Sequence, residues 1–92
     1  MNEELIEHEL IKLKGERVIL VTPSFGTVSH SFVGHVNTSS ETHPILFHFQ
    51  GEGVATIFHA SDVKKIQSLN EMTKAVIRLK GPNDYIESYT MI

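Results

Sequence analysis

Val18-Ile19-Leu20-Val21 is the stretch that most narrows the folds open to this chain. A four-residue apolar run without polar alternation makes a strand that needs cover on both faces, so it must lie centrally in a sheet or beneath another element. A candidate cover stands just upstream. Residues 3–14 read as a helix, with Asn2 as cap, Glu3 and Glu4 where the helix dipole favours acids, Lys12 and Lys14 where it favours bases, and Gly15 as a left-handed stop. Ile6, Leu10 and Leu13 recur at helical spacing and form one apolar stripe. A helix this short is not stable alone in water and must dock.

Downstream of the helix the punctuation is that of β structure. Runs rich in Val, Ile, Phe and Thr, broken by Gly, Pro, Ser and Asn, predict strands at 17–22, 28–37, 45–50 and 54–59. Turns are expected at Pro23-Ser24-Phe25-Gly26 and Gly51-Glu52-Gly53, with a polar loop from Thr38 to Pro44. Val28, Phe32, Gly34 and Val36 share a parity and should face inward. Gly34 in mid-strand suggests a bend or bulge of the kind that closes a small barrel. Residues 61–72 fit either a short helix with Val63, Ile66 and Leu69 on its buried side, or one turn followed by a strand. At 74–80, Ala75, Ile77 and Leu79 alternate with outward Lys74, Val76, Arg78 and Lys80. The Gly81-Pro82-Asn83-Asp84 turn and Tyr85 to Ile92 complete a C-terminal hairpin.

Ninety-two residues without an internal repeat or linker make one domain, burying roughly 60 to 65% of its unfolded surface. The expected fold is mainly β: a small SH3-like or Sm-like bent-strand barrel over 17–69, with the N-terminal α-helix at 3–14 and the hairpin at 74–92. The absence of cysteine excludes disulfides, thiol nucleophiles and Cys-based metal sites, and fits a reducing cytoplasm. The acidic start does not fit a signal peptide, and no apolar run is long enough to span a bilayer. A cytoplasmic, non-membrane protein is expected.

Charge is unevenly placed. Residues 1–11 hold Glu3, Glu4, Glu7 and Glu9 and no base, whereas the other 81 residues hold eight bases and seven acids, so the formal net charge of −3 is a −4 helix laid over a +1 body. Three basic groups stand out: Lys12, Lys14 and Arg17 at the helix-to-strand junction, Lys64 and Lys65 after the fourth strand, and Lys74, Arg78 and Lys80 on one later face. Such stripes can pair with phosphates, and Phe25, Tyr85 or Tyr89 could stack on splayed bases.

Catalytic patterns are lacking. His59, Ser61 and Asp62 supply the residue types of a hydrolytic triad, but residues so close in sequence seldom reach its geometry, and no glycine-flanked serine accompanies them. Gly51-Glu52-Gly53 has no following Gly-Lys-Ser/Thr and puts a carboxylate where a phosphate would sit. Six histidines invite a metal site, yet His30/His35 and His43/His48 are five apart, which on a strand places partners on opposite faces; only a cross-strand meeting such as His35 with His48 remains. No enzyme activity, no cofactor and no metal are expected.

Arg17-Val18-Ile19-Leu20-Val21 after a short helix, the glycine-punctuated stretch from Gly26 through Gly34 to Val36, and Ile57-Phe58-His59-Ala60-Ser61 leading into Asp62-Val63 are together similar to the Sm-like superfamily, its bacterial Hfq branch included. The likeness covers residues 3–69. It implies barrels joined through strands four and five into a homo-oligomeric ring, and an RNA site reached by His59, near the position of that family's pore-lining basic pair. The expected function is therefore a non-catalytic domain binding single-stranded RNA, with His59, Lys64 and Lys65 as the ligand-contacting residues. The alternative is a protein-interaction or regulatory domain of SH3-like type without nucleic acid, docking a protein partner through the acidic helix and the Tyr85/Tyr89 strand.

Overall fold

A computed structural model of the chain describes residues 3–23, 29–38 and 46–81. Helix α1 spans Glu3–Lys12, shorter than expected by two residues. The reason is competition from the sheet: Lys14 forms a parallel bridge with Val36, and the Gly15 amide donates to the Val36 carbonyl at 3.1 Å. Gly15 takes φ +78°, the left-handed turn that lets the chain leave the helix and start a strand. Ile6 and Leu10 are buried beneath α1, so the helix docks on the sheet as its length demands.

Six strands follow: β1 (Arg17–Pro23), β2 (Ser29–Thr38), β3 (Phe47–Gly51), β4 (Val54–Phe58), β5 (Val63–Ser68) and β6 (Ala75–Leu79). They form one mixed sheet in the order β4-β3-β2-β1-β6-β5. β1 is central, as its double-faced apolarity requires. Val18 and Leu20 lie in the core beneath α1, and Val21, on the opposite face, is buried too. The inner face continues through Val36, Phe47, Phe49, Phe58, Val63, Ala75 and Ile77, all buried. Phe47 and Phe58 are direct cross-strand partners and stack with centroids 5.9 Å apart.

Two expectations about the sheet change. The protein is mainly β with one helix, but among the described residues the sheet does not close into a barrel: β4 and β5 remain its two edges. β6 inserts between β1 and β5, running parallel to β1 with Leu20 opposite Ile77, and antiparallel to β5 with Ile66 opposite Ile77. Residues 75–79 therefore belong to the main sheet rather than to an appended hairpin, since Ala75 and Ile77 fill core positions beside β1. The hairpin's second strand at Tyr85–Ile92 lies outside the described residues, as do Asn2, Phe25, Val28, His43 and most of the Thr38–Pro44 loop.

The open choice over 61–72 resolves as a single 3₁₀ turn, Ala60–Asp62, followed by strand β5. Gly34 is not a bulge, because the Val18–Gly34–Gly51 row is paired without a break. Both glycines instead answer to close packing across β2 and β3.

Candidate functional site

α1 lies on one face of the sheet; on the opposite face Val21 is buried, while Val33, His35, His48 and Arg78 are exposed. Pairing register defines what that open face carries. Arg17 stands opposite His35 and His35 opposite Gln50; Asn37 stands opposite His48 and His48 opposite Ile57. Ile19 pairs with Val33 on that side of β1 and with Val76 on the other, where Val21 pairs with Arg78 and Arg78 with Lys65. The Arg78 side chain is held across the strands, its Nε donating to Gln67 Oε1 at 3.1 Å. The face is thus an apolar band, Val33–Ile19–Val76, bordered by Arg17, His35, His48 and Gln50 at one end and by Lys65, Gln67 and Arg78 at the other.

Its electrostatics are one-sided. The six strands contain Arg17, Lys64, Lys65 and Arg78 and no aspartate or glutamate, whereas α1 contains four glutamates and one lysine. Among the described residues the remaining acids sit in connections: Glu16, Glu52, Asp62 and Glu71. Glu71 lines a depression beside Arg17 at the rim, together with Asn70 and Met72. The chain is therefore polarised, with an acidic helix on one side and a cationic sheet surface on the other.

The three residues expected to touch ligand have three different surroundings. Lys65 is exposed on the open face beside Arg78. Lys64 is displaced by the bulge between Val63 and Lys65 and lines a cleft with Glu3, Ile6, Ser61 and Lys80, next to α1. His59 is exposed at the entrance to the 3₁₀ turn. Its amide donates to Asp62 Oδ2 at 2.9 Å, and the Asp62 amide donates to the His59 carbonyl at 2.9 Å. The Asp62 carboxylate accepts from the His59 backbone and fastens the turn.

His35 and His48 lie on neighbouring strands and on the same face, but one step out of register: each is diagonal to the other, a spacing of about 7 to 8 Å. No group of three or more His, Cys, Asp or Glu side chains suited to a metal exists among the described residues. No described helix is long and apolar enough to cross a membrane. The open face adds His35, His48, Gln50 and Gln67 to the basic residues picked out by charge alone. For His35, His48 and Gln50 the signal is the parity of β2 and β3, since His35 alternates with the inward Gly34 and Val36, and His48 with the inward Phe47 and Phe49.

No family model, no curated protein and no solved structure matches the chain.

Proposed function

We propose that this chain is a non-catalytic, self-associating domain of Sm-like type that binds single-stranded RNA on the face of its sheet opposite α1. The observation that carries the reading is the separation of charge: Arg17, Lys65 and Arg78 and no acid on the described strands' face opposite α1, against four glutamates in the helix. Arg17, Lys65 and Arg78 are spaced along that face to meet successive phosphates. The imidazoles of His35 and His48 and the guanidinium of Arg78 offer planar groups for unstacked bases, and Gln50 and Gln67 can read base edges. Lys64 and His59 extend the basic surface around the β5 end of the sheet. An edge strand of the sheet supplies a surface for homo-oligomer assembly.

The test is fluorescence anisotropy with a labelled, mixed-sequence single-stranded RNA across a salt series. With three phosphates neutralised, log affinity should fall against log salt with a slope of about −2. Absence of binding at low salt would sink the reading. A second reading has its own support: Val33 and Ile57 expose 44% and 57% of their surface on the same face, which suits an apolar protein partner. Binding to such a partner would be insensitive to salt.

A further inference from the structure

The two edges of the sheet are not equivalent. β5 has a bulge between Val63 and Lys65 and carries Lys64 and Lys65 in its first half. A kink and exposed lysines are two devices by which an edge resists a further strand. β4 has neither. Val54-Ala55-Thr56-Ile57-Phe58 contains no charge, proline or glycine, and it pairs with β3 through all five residues without a register break. Among the described residues no strand lies on its outer side.

Backbone chemistry narrows what can pair there. The two-residue Glu52-Gly53 turn is closed by Gly51 opposite Val54, and a turn of that length closes on a hydrogen-bonded pair. Alternation then directs the amides and carbonyls of Val54, Thr56 and Phe58 toward β3, leaving those of Ala55 and Ile57 facing outward. A second β4, antiparallel and related by a two-fold axis at Thr56, satisfies this spacing. Ala55 exchanges its backbone bonds with Ile57 of the second copy, and Ile57 with Ala55. The side chains match as well: large Ile57 over small Ala55, Phe58 beside Val54, and the two Thr56 side chains facing each other. No charge meets its like across the joint.

We infer that β4 is a self-association edge, joining two copies of this chain across Thr56 into one continuous sheet. The inference rests on the self-association in the function proposed above and puts a closed pair in place of the ring that the Sm-like resemblance implies, because a β4-to-β5 joint would have to cross the bulge and both lysines. In-plane pairing keeps both faces opposite α1 on the same side, so the two cationic surfaces form one platform and both acidic helices lie behind it.

Light scattering on the full chain at micromolar concentration should give twice the 10.3 kDa chain mass. Ile57→Lys alters a side chain that is already 57% exposed, and it should return the mass to one chain without changing the circular dichroism spectrum. Lys65→Glu on the other edge should leave the pair intact. Because the chain has no cysteine, Thr56→Cys places a single thiol on the axis, where facing Cα atoms are about 4.5 Å apart and within disulfide reach. Oxidised glutathione should link Thr56→Cys into a covalent pair but not Lys65→Cys. A single-chain mass at high micromolar concentration, a mass of three or more chains, an unchanged mass for Ile57→Lys, or no link in Thr56→Cys would each overturn the inference. A pair that binds no RNA defeats only the RNA reading, and a single chain that binds RNA defeats only this one.

Discussion

The ring of Phe49 occupies the space that a side chain at Gly34 would need: a Cβ built on Gly34 would lie 2.7 Å from Phe49 Cζ and closer still to the Gln50 carbonyl oxygen. Phe49 is buried in the core and Gln50 is strand backbone, so neither can retreat cheaply. Gly34→Ala should therefore destabilise the fold by about 2 to 3 kcal/mol. Urea unfolding followed by circular dichroism checks this, and a change within error of zero would show that β2 and β3 separate more easily than their register implies.

The docking of α1 depends on Leu10, which is wholly buried. Leu10→Ala removes core volume that the sheet cannot refill, at an expected loss of about 3 kcal/mol. Leu5→Ala, on the exposed side of the same helix, should stay within about 0.5 kcal/mol. The contrast between the two midpoints separates packing from helix propensity.

Asp62 secures the turn into β5 through the His59 amide. Asp62→Ala should cost about 1 kcal/mol, while Asp62→Asn, which keeps an acceptor oxygen, should cost less. Equal losses in the two variants, measured by thermal unfolding, would mean that this hydrogen bond does not hold the turn.

On the open face, Arg78→Gln should remove one phosphate contact and reduce the magnitude of the salt slope for single-stranded RNA by about 0.7. Glu4→Gln, on the helix side, should leave that slope unchanged. Anisotropy titrations of both variants at matched salt decide the matter, and equal effects would place the RNA elsewhere.

Much of the fold was legible where the signal was local. Val18–Val21 had to be central because both its faces are apolar, and Gly15, with Ile6 and Leu10 before it, marked a helix that docks and then stops. The parity of Gly34 and Val36 was right, with both buried. What could not be seen was the partner of 75–79. Parallel pairing of Ala75 and Ile77 with Val18 and Leu20 leaves no turn between the strands to announce it, and the tempting Gly81-Pro82 punctuation pointed the other way. The charge pattern was half legible: the acidic helix stood out at once, whereas the lack of carboxylates in the described strands emerged only when strand limits assigned Glu16, Glu52, Asp62 and Glu71 to connections. The sequence leaves His35 with His48 as the one cross-strand meeting open to a metal while expecting none, and register sets the two diagonally on the face that carries Arg17.

The parallel seam between β1 and β6 also orders events in time. β1 through β4 form successive antiparallel neighbours, contacts that a collapsing chain closes cheaply because the intervening segments are short. β6 can reach its place beside β1 only after the intervening chain has been drawn together, and it brings β5 with it. Nucleation should thus fall in the β1–β2–β3 meander, with the β5–β6 hairpin docking late and setting the refolding rate.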